Sequence, residues 1–141
     1  MSLYAESSAV LRWLLGETGG ELTRSTLAGA DLVLASELTL IECERALIRA
    51  AHGGIIGESA AADRRARLRL AAVHWTLLPL QTEIADRARQ SFPRDPVRTL
   101  DAIHLATMVV ARALVPELRV LSFDERIRRN ARDLGFETVP L

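Results

Sequence analysis

Apolar residues in this chain follow two rhythms. Some fall in short runs of strand length, and others recur every three or four positions along longer stretches. The short runs are Leu3 to Ala5, Asp31 to Ala35, Trp75 to Leu80, Arg119 to Ser122 and Phe136 to Val139, and each is predicted as a strand. Pro79 has no backbone N–H to donate, so the third run belongs at a strand end or on a sheet edge. The longer repeats predict helices. The first runs from Ala9 to about Leu15, capped by Ser7 and Ser8 and halted near Gly16 and the Gly19-Gly20 pair. The second starts from a Ser36 cap and reaches His52, where Gly53-Gly54 stops it. An Ala- and Arg-rich helix follows from Glu58 to Val73, and a short one from Gln81 to Ser91. Thr99 is placed as the N-cap of a helix reaching Leu114, and Asp124 to Leu134 is closed by Gly135. The order β-α, β-α-α, β-α-α, β-α, β predicts an α/β fold, a parallel sheet covered on both faces by helices. No repeat, low-complexity tract or linker divides the 141 residues, so residues 1–141 read as a single domain.

Composition narrows the class. Hydrophobic residues make up 49% and aromatics only 4%, so the core is aliphatic and alanine-rich. The formal net charge is zero, which excludes a global field advertising nucleic acid or membrane. All 18 basic residues are Arg. Guanidinium suits bidentate phosphate contacts, but the coding bias of a GC-rich genome gives the same composition without any function. Cys43 is alone and no Cys/His set has zinc-ligand spacing, as expected in a reducing cytosol. The stretch MSLYAESS lacks the charged n-region and long apolar run expected of a signal peptide, and no window has the roughly 18 apolar residues of a membrane span. The chain therefore reads as soluble and cytoplasmic.

The acids carry the candidate chemistry. In open parallel sheets, ligands bind beyond the C-terminal strand ends, near the point where strand order reverses. Glu6 directly follows the first strand and Asp124 follows the RVLS strand, so both belong on that edge. Asp101 stands on the first turn of RTLDAIHLAT, a helix apolar on most sides. A first-turn acid commonly complements the helix dipole, and a buried one can instead hold a cation or a water. Glu42 and Glu44 lie about 200° apart around their helix, so only one faces inward. Each has apolar residues four positions away on both sides, and periodicity leaves the choice open. Several carboxylates converging on one pocket repel unless a cation neutralises them, and Mg²⁺ or Mn²⁺ suits oxygen donors.

Four segments, in order, resemble the motifs of the PIN-domain family, and more closely those of VapC toxins from bacterial toxin-antitoxin pairs. They are YAESSAV (Tyr4 to Val10), SELTLIECERA (Ser36 to Ala46), RTLDAIHLAT (Arg98 to Thr107) and LSFDERI (Leu121 to Ile127). The resemblance implies a three-layer α/β/α sandwich around a mostly parallel sheet of four to five strands. It assigns the family's acidic quartet to Glu6, Glu42, Asp101 and Asp124. Glu42 is chosen over Glu44 because Arg45 and Ala46 follow it as they follow the family's acid, which leaves Glu44 facing solvent. Glu6, Asp101 and Asp124 then hold Mg²⁺ or Mn²⁺, Glu42 positions or deprotonates the attacking water, and Ser7, Ser8 and Ser122 support the site. The implied activity is endoribonuclease, with RNA as substrate, an antitoxin that blocks the site, and a homodimer. The chain departs from the family in carrying Glu6 where Asp is usual. That motivates a second reading, a catalytically impaired PIN domain that binds RNA or protein. A third is a DNA-directed nuclease on the same scaffold.

Arg126, Arg128 and Arg129 follow Asp124 and are candidates for RNA phosphate contacts. The Arg64, Arg65, Arg67 and Arg69 run circles its helix and reads as a solvated face. His104, three residues past Asp101, reads as a structural or supporting histidine. Trp13 and Trp75 read as core or interface residues rather than base-stacking platforms. Leu11, Leu14, Leu15, Ile41, Leu47 and Ile48 are divided between core packing and a groove for a partner helix.

Overall fold

The computed structural model describes all residues, Met1–Leu141. The elements are β1 (Ser2–Ala5), α1 (Ser7–Leu14), α2 (Gly20–Ala28), β2 (Leu32–Ser36), α3 (Glu37–His52), α4 (Glu58–Ala72), β3 (Thr76–Leu78), α5 (Thr82–Ala88), α6 (Thr99–Arg112), β4 (Arg119–Leu121), α7 (Glu125–Asp133) and β5 (Thr138–Val139). The strands form one sheet in the order β3-β2-β1-β4-β5, and every pairing is parallel. β1 is central because Leu3, Tyr4 and Ala5 put buried side chains on both faces, as a covered parallel strand requires.

The alternation of side chains across β1 builds two separate cores. Tyr4 registers with Leu34 on β2 and with Val120 on β4, and this row packs under α5, α6 and α7 through Ile84, Leu105, Met108 and Ile127. Leu3 and Ala5 point the other way, with Val33, Ala35 and Leu121, toward Val10, Cys43, Leu47 and Leu68 of α1, α3 and α4. The result is the three-layer α/β/α sandwich that the resemblance implies. Wholly parallel pairing makes it more uniform than the mostly parallel sheet expected. No helix is long and apolar enough to cross a membrane.

Chain direction sets where a site can form. From β1 the chain steps to β2 and β3 on one side, then jumps back to β4 and β5 on the other. The reversal falls between β1 and β4, so Glu6 and Ser122 leave neighbouring strands at the switch point. A backbone hydrogen bond from Glu6 N to Leu121 O, at 3.0 Å, extends the pairing to Glu6 itself.

Three local expectations are corrected. The Gly19-Gly20 pair does not simply end the first helix, because a second helix, α2, starts at Gly20. Gly19 adopts φ +88, and a Cβ on Gly20 would lie 2.2 Å from the Arg12 carbonyl oxygen, so the pair lets two helices meet at a tight corner. α1 begins at Ser7, and Glu6 rather than a serine is its N-cap, accepting from Ser8 N at 3.1 Å. Thr99 is the first helical residue of α6, not its cap, and the capping position, Arg98, offers no side-chain acceptor. Ser36 caps α3 as expected, and Pro79 follows β3 on the sheet edge.

Candidate active site

Glu6 is where the sequence rhythm breaks. The residue after a fully apolar central strand is an acid, and it is only 5% exposed. Three donors converge on its Oε2: Ser122 Oγ at 2.7 Å, the Ser8 amide at 3.1 Å, and the Ser8 hydroxyl. The same two hydroxyls accept amide protons from the start of α7. Phe123 N donates to Ser8 Oγ at 2.9 Å, and Asp124 N donates to both Ser8 Oγ and Ser122 Oγ at 3.1 Å. Each serine thus passes polarity from the α7 amides to the Glu6 carboxylate and fixes the backbone of Asp124 relative to Glu6. Burial drives the Glu6 carboxyl above its ordinary pKa, against the pull of His104 and of these hydrogen bonds.

A second network joins Glu42 to the other face of the sheet. Glu42 Oε1 accepts from Ser7 Oγ at 2.7 Å and lies 2.5 Å from His104 Nε2. His104, on α6, is 1% exposed, and its Nδ1 lies 2.8 Å from the Tyr4 hydroxyl. An ionised carboxylate only accepts, so Nε2 carries the proton, and in the neutral ring Nδ1 must then accept from Tyr4. Burial opposes charge on Glu42, but the hydrogen bond from His104, the attraction of that ring whenever it is protonated, and the Ser7 hydroxyl outweigh it, and the carboxyl sits below the usual range. Burial drives the Tyr4 hydroxyl well above its ordinary value, so it remains a donor. Cys43 beside this network has its thiol pushed up by burial and is inert as a nucleophile.

The Asp101 and Asp124 carboxylates make no hydrogen bond to Glu6, Glu42 or the serines that hold them. Asp101 lies 3.6 Å from Arg98, and Asp124 lies 3.5 Å from Arg126 while capping α7 by accepting from Arg126 N at 2.9 Å. The structure therefore forms two hydrogen-bonded groups, Glu6 with Ser8, Ser122 and the Asp124 backbone, and Glu42 with Ser7, His104 and Tyr4, whereas Asp101 shares only its helix with His104. Arg128, expected beside Arg126 and Arg129 as a phosphate contact, is turned inward. It donates to Ser122 O at 2.8 Å and Pro140 O at 2.5 Å, because α7 ends its first turn over the sheet and the main-chain carbonyls there need donors. Glu44, expected to face solvent, pairs with Arg69 at 2.8 Å and Arg65 at 3.7 Å on α4, so the arginine run there is partly engaged. Leu14 and Leu47 are core residues, and Ile41 is exposed.

The donors suit a hard divalent ion. They are all oxygens, and Glu6 Oε1 accepts no protein hydrogen bond and is left for a ligand. No three His, Cys, Asp or Glu side chains come together at metal-ligand spacing. An ion here would rest on one or two carboxylates, with water completing its shell, as suits Mg²⁺.

An all-parallel sheet with a buried acid and hydroxyl ladder at its switch point defines a carboxylate-based site of the PIN type. The chain belongs to the PIN domain family, which it matches over residues 3–133. Within that family it is of the VapC toxin type. It is 33% identical over 139 residues to ribonuclease VapC46 of Mycobacterium tuberculosis, covering 98% of this chain and 96% of that protein. It is 28% identical over 138 residues to ribonuclease VapC45 of the same species, covering 98% and 94%. In fold it is similar to Mycobacterium tuberculosis VapC20, a toxin that cleaves the sarcin-ricin loop, with TM-score 0.65, 18% identity and 95% of each chain covered. It also resembles a chain of a toxin-antitoxin complex from Klebsiella pneumoniae, with TM-score 0.59, 19% identity, and 99% and 93% covered.

Tyr4 and His104 were not legible as a unit from the sequence. The signal was present in two pieces: Tyr4 alternates out of phase with Leu3 and Ala5, and His104 follows Asp101 by one helical turn. Only the packing of α6 over that sheet face joins them.

Proposed function

We propose that this chain is a Mg²⁺- or Mn²⁺-dependent endoribonuclease, the toxin of a toxin-antitoxin pair, acting on RNA phosphodiester bonds in the cytoplasm. The observation that carries the reading is the Glu6 carboxylate, held in a buried ladder of hydroxyls at the switch point and raised in pKa by burial. A protein keeps an acid in such a place at a cost in stability, and a function is the usual reason. Glu6 and Asp101 would hold the ion in this scheme, with Asp124 joining directly or through water. When bound, a divalent ion lowers the pKa of a water and stabilises charge on a phosphate oxygen.

The remaining roles belong to side chains alone. Glu42 orients the attacking water and takes its proton, since its low pKa keeps it ionised and Oε2 accepts no protein hydrogen bond. His104 and Tyr4 position Glu42, and Ser7 holds the same oxygen. Ser8 and Ser122 fix the distance between Glu6 and the start of α7. Arg126 and Arg129, exposed beside Asp124, contact RNA phosphates. A cognate antitoxin covers this edge, and the chain works as a homodimer.

The test is cleavage of RNA by the purified protein with Mg²⁺ or Mn²⁺, with EDTA as control. Asp101→Asn should abolish cleavage while leaving the melting transition intact. Cleavage that survives EDTA, or that survives Asp101→Asn, overturns the assignment. RNA binding without any cleavage supports the impaired-module reading that Glu6 motivates, and cleavage of single-stranded DNA in place of RNA supports a DNA nuclease.

A further inference from the structure

Beside Asp101 lies a cavity of about 220 Å³ between the Phe92–Arg98 segment, the start of α6 and the outer face of α7. Four guanidinium groups border it, those of Arg94, Arg98, Arg126 and Arg129, against the single carboxylate of Asp101. Two of the four, Arg94 and Arg98, lie on the segment that connects α5 to α6.

The cavity is built, not an accident of a mobile surface. Asn130 on α7 is 3% exposed, accepts from Arg94 N at 2.9 Å and donates to Arg126 O at 3.0 Å, so it fastens one wall to the other. Asp95 closes the loop on itself by accepting from Phe92 N at 2.6 Å and Val97 N at 3.0 Å. The buried Phe92 ring anchors the base of the loop in the core under α6.

The arginine heads remain available. Their side chains are 58%, 68%, 62% and 62% exposed, in the order Arg94, Arg98, Arg126, Arg129. Each has one acidic neighbour, Asp133, Asp101, Asp124 and Glu125 respectively. Exposed pairs of this kind are weak, and a guanidinium has five donors, so each keeps hydrogen bonds for another anion. The start of α6 adds positive potential, since Arg98 at its capping position supplies no side-chain acceptor for the first amides.

We infer that this cavity is a phosphate subsite, taking a backbone phosphate of single-stranded RNA next to the one that is cut. The inference rests on the ribonuclease reading for the identity of the ligand. Arg98 and Arg126 line the cavity and lie 3.6 Å from Asp101 and 3.5 Å from Asp124, so a phosphate seated here lies next to the proposed ion ligands. The neighbouring phosphate of the same strand then falls among the carboxylates. The subsite fixes the register of the strand and carries no information about base identity.

The experiment is binding without cleavage. A labelled short single-stranded RNA is titrated in EDTA at several salt concentrations, and affinity is read by fluorescence anisotropy. Arg94→Gln and Arg129→Gln should each weaken binding several-fold and flatten the log–log salt slope by about 0.7, the value for one lost contact on a single strand. Arg67→Gln on α4 is the control and should change neither. Unaltered affinity and slope in the double variant, with wild-type melting, overturn the subsite. So does a double variant that loses inorganic phosphate but keeps RNA, because the cavity then serves free phosphate. Because the ion is absent here, RNA cleavage by the wild type together with unaltered binding by the double variant defeats this inference and leaves the ribonuclease reading standing.

Discussion

Tyr4→Phe removes one oxygen from the centre of the molecule and tests how Glu42 is held. The ring stays in its slot between Leu34 and Val120, so the change opens almost no cavity. What is lost is the hydrogen bond of 2.8 Å to His104 Nδ1, in a place where both residues are 1% exposed or less. An acceptor left alone in such a site costs about 1–3 kcal/mol. In a domain of this length that corresponds to a fall in melting temperature of about 3–10 °C, read by circular dichroism in EDTA. The catalytic effect is separate. Without the Tyr4 proton, His104 can carry its proton on Nδ1 and present a bare Nε2 to Glu42, and the carboxylate loses its fixed direction. Partners one shell removed from a reacting group are worth about 10–100-fold, so kcat should fall by that amount with KM unchanged. Tyr4→Phe and His104→Asn should also fail to add, because each breaks the same chain of bonds. A Tyr4→Phe protein with the wild-type melting temperature and kcat would refute the reasoning, as would additive effects in the double variant.

Two further outcomes follow from the buried residues. Glu6→Gln should abolish cleavage yet melt higher than the wild type in EDTA, and the gap should widen as pH rises. The sign comes from the raised pKa: folded Glu6 keeps its proton above the ordinary carboxylate value of 4.5, so its contribution is present in acid and is lost as pH rises through the folded value. A gap that narrows with pH contradicts this. Gly20→Ala should lower the melting temperature, because the added carbon meets the Arg12 carbonyl oxygen at 2.2 Å and the Trp13 Cα at 3.0 Å, backbone atoms that cannot swing aside. Overpacking of this kind costs about 1–3 kcal/mol, and a variant as stable as the wild type would show that the corner between α1 and α2 is pliable.

Strands and layers could be read from the chain because a strand buried on both faces is written as a short continuous apolar run, as in Leu3, Tyr4 and Ala5. Helix α2 could not, because glycine means both a stop and a close approach, and only the neighbouring Arg12 carbonyl distinguishes them. Capping failed for a related reason. Ser7, Ser8 and Thr99 are all plausible caps by type, but Ser7 and Ser8 are committed to Glu42 and Glu6, respectively. The acids on the sheet edge followed from strand order alone, whereas the choice of Glu42 over Glu44 needed the family resemblance. Arg128 and Arg129 look alike in sequence. Their separation by 100° around α7 sends one into the carbonyls of Ser122 and Pro140 and leaves the other in solvent.

The middle strand has a consequence for how a dangerous enzyme comes into being. β1 carries the Tyr4 hydroxyl on one face and delivers Glu6 at its end, so the keel of the sheet and the proposed reactive centre are the same few residues. A slip of one position would turn Tyr4 away from His104, bring Leu3 and Ala5 under α6, and displace Glu6 from its serines. No intermediate alignment preserves half of this arrangement. On the proposed reading, cleavage therefore requires the sheet to close in this one register.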